Sequence, residues 1–202
     1  MRLDEEYCLS EYVDLGRLGD NEKVHIVRNQ VNGVIGVRKY VALDLEEIYL
    51  FLKENPNAYI PKIYECIQTD TNLIVIEEYL SGKNLEEMLK EKYFSEKDAA
   101  DIIICLCNAL YPLHHAKMPV ICRDLKAENV ILTNEGEVKL VDFDIARIYQ
   151  PGKSKDTVMM GTQGYAAPEQ FGFGQTDART DIYAMGVLLN YMLVREFPME
   201  KL

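Results

Sequence analysis

Residues 121–132, ICRDLKAENVIL, set Arg123, Asp124, Lys126, Glu128 and Asn129 between apolar pairs. A core strand would not carry so many charges, and a surface loop would not run on into Val-Ile-Leu. Residues 130–132 and 138–141 read as short apolar strands joined by the turn Thr133-Asn134-Glu135-Gly136, which makes a hairpin. Such a hairpin returns Asp142 to the side of Asn129. A carboxylate and an amide oxygen held together are hard ligands suited to Mg²⁺, whose other positions go to water and to substrate phosphates. Asp124, a few residues away, could take a proton from an incoming hydroxyl. Lys126 could neutralise phosphate charge. Each residue alone would read as a solvated turn, but the set in this order does not.

Two blocks of elements must hold these residues. In the first, Val24-His25-Ile26-Val27 and Val34-Ile35-Gly36-Val37 flank Asn32-Gly33, a strong hairpin signal. Residues 45–52 read as a brief helix with Leu45, Ile48, Tyr49 and Leu52 on one side. Residues 60–63 and 73–76 are further strands, with turn residues Thr69-Asp70-Thr71-Asn72 between them. Ser81-Gly82-Lys83 breaks this pattern, and the chain then turns helical. Asn84 precedes a short apolar-periodic stretch, and Ser95 with Asp98 resembles a capping box. The helix that Ser95 opens runs to His115 and is apolar nearly all round from Ile102, which predicts a buried spine. Residues 181–194 form another apolar helix. The division expected is an N-lobe over residues 1–80 and a C-lobe over 81–202.

Bulk properties narrow the function. The 202 residues are 48% hydrophobic, enough for one substantial core or two smaller lobes. A net charge of -11 argues against binding to nucleic acid or an anionic membrane. No apolar run approaches the roughly 18 residues of a membrane span. The acidic start, Met1-Arg2-Leu3-Asp4-Glu5-Glu6, is not that of a signal peptide. Five cysteines make an odd count without metal-ligand spacing, and Cys105-Leu106-Cys107 lies within the apolar helix. A reducing, cytoplasmic setting fits them.

The residues that carry chemistry resemble those of a protein kinase of the Ser/Thr type. Cys122-Arg123-Asp124-Leu125-Lys126-Ala127-Glu128-Asn129 resembles the catalytic loop, and Asp142-Phe143-Asp144 the metal-binding segment. Gly161-Thr162-Gln163-Gly164-Tyr165-Ala166-Ala167-Pro168-Glu169 resembles the end of the activation segment. Asp181-Ile182-Tyr183-Ala184-Met185-Gly186-Val187 resembles the helix whose Asp ties down the catalytic loop. The wording around residues 161–174 resembles bacterial kinases.

This resemblance implies an α+β, two-lobed fold: an antiparallel N-lobe sheet with one helix, and a mainly α-helical C-lobe. It implies ATP and Mg²⁺ as cofactors and a protein as substrate or regulatory partner. Asp124 would be the catalytic base, Lys126 the phosphate contact, and Asn129 and Asp142 the metal ligands. Arg123 would meet a phosphate or carboxylate of the activation segment. Thr162 would tie that segment to Asp124 and Lys126, with Ser154 and Thr157 as regulatory phosphosites. The family pattern continues for several helices past Leu202, including the usual arginine partner of Glu169. The expectation is therefore a C-terminally short domain, whose Leu188, Met192 and Phe197 need cover from a partner or a second copy.

The N-lobe matches the family less closely. Counting back from Asn32-Gly33 puts Lys39 at the ATP-anchoring position and Val37 on the same face, against adenine. A one-residue slip would put Arg38 there instead. Glu47 fits as the ion-pair partner better than Glu46, because Ile48 and Leu52 then face inward. Val24, Gly19, Glu78 and Leu80 complete the ATP-binding set. In the nucleotide-covering loop Arg17, Gly19 and Glu22 fall where three glycines are expected, so only Gly19 matches. Glu77 falls at the gatekeeper position, where it must pair or protonate, and Lys39 is a competing partner for it. Cys122 stands for the usual His, Ala127 for Pro and Asp144 for Gly. Two functions are compatible with these departures: an ATP-dependent kinase, or a pseudokinase serving as a nucleotide-binding interaction module.

Overall fold

Alternating apolar residues around Asn32-Gly33 close a hairpin in the computed structural model, which describes residues 3–19, 22–152, 160–172 and 174–198. Ser154 and Thr157 lie outside the described residues. The chain divides into two units, Met1–Asn57 with Pro61–Leu80, and Ala58–Ile60 with Ser81–Leu202.

The first unit opens with a helix, α1 (Leu3–Ser10), that the sequence pattern does not announce. The strands β1 (Tyr12–Arg17), β2 (Val24–Asn29), β3 (Ile35–Val41), β4 (Ile63–Gln68) and β5 (Leu73–Glu78) form one antiparallel sheet, ordered β1-β2-β3-β5-β4. Between β2 and β3 the side chain of Asn29 accepts the Val31 and Asn32 amides at 2.9 and 3.1 Å, and Gly33 takes the left-handed φ of +75° that the turn needs. A short 3-10 turn, Leu43–Leu45, leads into α2 (Glu46–Glu54), which buries Ile48, Tyr49 and Leu52 beneath its polar face. β4 begins at Ile63, later than the apolar pattern at 60–63 suggests. Tyr59 explains the difference: its carbonyl accepts the Leu140 amide at 2.8 Å, so residues 58–60 pair within the second unit.

The second unit is mainly helical. β6 (Gly82–Asn84) leads into α3 (Leu85–Glu91), whose start is closed by a reciprocal box between Asn84 and Glu87. Ser95 and Asp98 make the same box at the head of α4 (Glu96–His114). The buried side of α4 carries Ala99, Ile102, Leu106, Ala109, Leu110 and Leu113. Ile104 and Tyr111 are exposed, so α4 is one-sided and the buried-spine expectation is corrected. After β7 (Val120–Ile121), strands β8 (Val130–Thr133) and β9 (Val138–Leu140) form the hairpin read from the sequence, with β6 beside β8. β10 (Arg147–Ile148) pairs with β7. The last described helix, α5 (Ala178–Val194), starts at an Asp177 cap and packs against α4. Leu188 and Met192, expected to need outside cover, are fully buried here, whereas Phe197 is exposed and stacks on Tyr191. An antiparallel sheet with helices followed by a helical unit is the α+β fold that the resemblance implies.

Candidate active site

The charged loop is held from below by one carboxylate. Asp181, wholly buried in the first turn of α5, accepts the amides of Cys122 at 2.9 Å and Arg123 at 2.8 Å. His114, in the last turn of α4, places Nε2 2.7 Å from the same carboxylate. Arg123 needs this anchoring, because its φ of +66° lies in the left-handed region that L residues other than glycine rarely enter. Its guanidinium donates to the carbonyl of Ile145 at 2.7 Å. Cys122 is buried beside Asp181, and burial first, then that carboxylate, push its thiol well above the ordinary range. A protonated, enclosed thiol is not a nucleophile.

Above this anchor, Asp124 collects three side-chain donors. Thr162 Oγ1 donates to Oδ1 at 2.7 Å, while Lys126 Nζ and Asn129 Nδ2 donate to Oδ2 at 2.8 and 3.0 Å. Lys126 also donates to Thr162 Oγ1 at 3.1 Å. A carboxylate offers about four lone-pair sites. Among the described residues three are used, which leaves one on Oδ1.

Asn129 ends a single 3-10 turn, Ala127–Asn129, and its carbonyl accepts the Val141 amide at 2.9 Å. That bond sets Asp142 beside Asn129. The Asn129 amide nitrogen is turned to Asp124, bonding its carbonyl at 2.9 Å as well as its side chain. The amide oxygen is therefore the atom available for a cation. Asp142 also has a left-handed φ, +69°, and its Oδ1 accepts the Asp144 amide at 3.1 Å. Among the described residues no cluster of three or more His, Cys, Asp or Glu side chains could hold a metal. One amide oxygen and one carboxylate nevertheless fit Mg²⁺, which takes few protein ligands and fills its shell with water and phosphate oxygens.

The segment carrying Thr162 is fastened by Gln170, a residue the sequence pattern gave no reason to select. Its Nε2 donates to the carbonyls of Arg123 at 2.8 Å and Met160 at 2.7 Å. Gly161 makes this possible: a Cβ there would stand 2.6 Å from Ala166 Cβ and 2.7 Å from Gln170 Nε2. His114 is likewise unforeseen; its only sequence signal is its place in the last turn of an apolar helix. Glu169, whose partner was sought beyond Leu202, accepts the Thr180 hydroxyl of α5 at 2.6 Å.

In the first unit, the cross-strand pairs Val24–Lys39 and Ile26–Val37 put Val24, Val37 and Lys39 on one face of the sheet. Arg38 is on the other, 2.6 Å from Asp14. The structure does not bring Glu47 to Lys39: Glu47 is exposed on α2, and Lys39 Nζ lies 2.6 Å from Glu77 Oε1. The reason is reach. Glu77 is fixed on the neighbouring strand, while the inward side of α2 is taken by Ile48, Tyr49 and Leu52. Glu78 accepts the Lys62 amide at 3.1 Å through its side chain, and Leu80 is half-buried. Gly19 is exposed with φ +68°. Glu22 points to solvent and pairs with Arg17 at 3.3 Å.

The fold and this arrangement of Asp, Lys, Asn and Asp are those of the protein kinase class. The protein kinase domain family matches residues 25–202, and the chain belongs to it. A probable serine/threonine-protein kinase PknB of Corynebacterium glutamicum is 38% identical over 130 residues, covering 62% of this chain and 20% of that protein. Serine/threonine-protein kinase D of Synechocystis is 31% identical over 151 residues, 71% of this chain and 29% of that protein. The mitogen-activated protein kinase kinase SIPKK of Nicotiana tabacum is 27% identical over 206 residues, 96% and 57% of the two chains. The chain thus spans between 20% and 57% of these three relatives. No helix among the described residues is long and apolar enough to cross a membrane.

Proposed function

We propose that the chain transfers the γ-phosphate of ATP to Ser or Thr hydroxyls of a protein. The observation that supports this best is the cluster at Asp124, with Thr162, Lys126 and Asn129 bonded to one carboxylate and Asp142 set beside Asn129. Three donors fix the carboxylate plane and leave a lone pair on Oδ1 for the proton of an incoming hydroxyl. As that proton passes to Asp124, the hydroxyl oxygen bonds to the γ-phosphorus, and the bond to the ADP oxygen breaks. Lys126, 2.8 Å from Asp124, is placed to meet the negative charge spreading over the phosphoryl oxygens. Asn129 and Asp142 would hold Mg²⁺, which when bound neutralises phosphate charge and orients the nucleotide. Lys39, Val37, Val24, Gly19, Glu78 and Leu80 are assigned to the nucleotide. Arg123 and Thr162 are assigned to the activation segment.

Transfer of labelled phosphate from Mg²⁺–ATP to the chain itself or to a generic basic protein tests the proposal. Asp124→Asn and Asp142→Asn should each abolish transfer. Labelling that survives Asp124→Asn at the original rate would refute the assignment. A second reading, a nucleotide-binding module without transfer, is favoured by one observation: Lys39 is paired with Glu77 of the sheet. Binding of ATP with no transfer under any Mg²⁺ concentration would select it.

A further inference from the structure

The ion pair between Lys39 and Glu77 is nearly dry, with the side chains 12% and 8% exposed and their charged atoms 2.6 Å apart. Both residues sit on adjoining inner strands of the sheet. Val37 pairs with Glu77 and Lys39 with Val75, so the two side chains meet diagonally across one face. A carboxylate so enclosed would be destabilised by loss of hydration unless a cation or donors met it, and Lys39 does so. An acid borne on a helix can leave its lysine when the helix shifts. One borne on the next strand is held by the ladder itself, with β5 buried from Leu73 to Glu77.

We propose that Glu77, rather than Glu47 of α2, is the residue that positions Lys39 for the nucleotide phosphates. This rests on the reading of the chain as an ATP-dependent kinase. Glu77 itself is a positioning residue: it acts through the lysine, and its place on β5 ties the lysine's aim to the sheet. The exposure of Glu47 on α2 agrees with this.

The test compares the parent chain with Glu77→Gln, Glu77→Asp and Glu47→Gln. Three quantities are measured: Mg²⁺–ATP affinity by displacement of a fluorescent ATP analogue, KM and kcat for transfer, and the rate of Lys39 acylation without nucleotide. Glu77→Gln should weaken Mg²⁺–ATP binding about tenfold or more, as expected for loss of a charge-assisted bond. It should raise KM for ATP more than it lowers kcat, and Glu77→Asp should recover most of the affinity. Glu47→Gln should stay within about twofold of the parent. Lys39 should be acylated several times faster in Glu77→Gln, because a carboxylate neighbour favours the unreactive ammonium, and no faster in Glu47→Gln. Undiminished affinity in Glu77→Gln, or an equal loss in Glu47→Gln, overturns the proposal. A parent chain that binds no Mg²⁺–ATP overturns the kinase reading and the phosphate role together. Acylation faster in Glu77→Gln alone would then still establish the pair in solution, and uniform acylation would dismiss it.

Discussion

Replacing Asp181 probes how the catalytic loop is held. Its carboxylate accepts two backbone amides and lies within bonding distance of His114 Nε2, all in a dry environment. In Asp181→Asn one oxygen becomes an NH₂ group. The lesser damage puts that group at the Oδ1 position, where only the Arg123 amide loses its acceptor, while Cys122 and His114 keep a neutral one. An orphaned buried amide costs about 1–3 kcal/mol, and the two weakened bonds bring the total to roughly 2–4 kcal/mol. Asp181→Ala abandons all three donors and loses on the order of 5 kcal/mol, within reach of a domain's whole stability. Relaxation of the Arg123 backbone from its left-handed φ returns part of this, about 1–2 kcal/mol, at the expense of where Asp124 points. With a urea slope of about 2 kcal/mol per molar, the Asn variant should unfold at a midpoint about 1–2 M lower. Hydrogen exchange at Cys122 and Arg123 should accelerate together. A midpoint within about 0.3 M of the parent, with both amides still slow, would refute the reasoning.

Gly161→Ala should lower the thermal midpoint and most of the transfer activity, since the new methyl collides with Ala166 and Gln170; overpacking of this kind costs about 1–3 kcal/mol. Asp98 and Asp177 are held below the usual carboxylate range, Asp98 mainly by its side-chain bond to Ser95 and Asp177 mainly by that to Arg179. Depressed in the folded state, they contribute stability above their unfolded value of about 4 that is lost as pH falls through their folded values. First-turn amides of α4 and α5 should therefore exchange disproportionately faster at low pH, and Asn at both positions should flatten that dependence. Iodoacetamide at neutral pH should alkylate exposed Cys107 and spare buried Cys122 until denaturant is added, as peptide mass spectrometry will show.

The hairpin that sets Asp142 beside Asn129 was legible because its determinants are local: two short apolar runs and a Thr-Asn-Glu-Gly turn. The caps at Ser95 and Asn84 were legible for the same reason. Alternation along β3 was enough to separate Lys39 from Arg38. The sequence offered Lys39 both Glu47 and Glu77 but not the choice between them, since that depends on which of two distant carboxylates, on a helix or on a strand, comes within reach. Periodicity could not tell which side of α4 is buried when nearly every position from Ile102 is apolar. Gln170 carries no pattern and His114 only its place at the end of an apolar helix; their importance is three-dimensional, arising from what Asp181 and Arg123 present to them. α1 has an acidic start and little apolar spacing, so nothing in its residues marked it as a helix.

Residues 58–60 have a consequence for how the molecule can be taken apart. The chain leaves the first unit at Ala58, gives the Tyr59 carbonyl to the edge of β9, and returns at Pro61 before leaving for good after Leu80. No single cut separates the two units. A fragment beginning at Ser81 would expose the Leu140 amide along an uncovered strand edge, a ready template for pairing with another copy. One starting at Ala58 would carry β4 and β5 without the three strands, β1 to β3, that complete their sheet. Split-protein and domain-swap experiments on this chain should therefore graft residues 58–60 onto the helical piece, or expect it to aggregate.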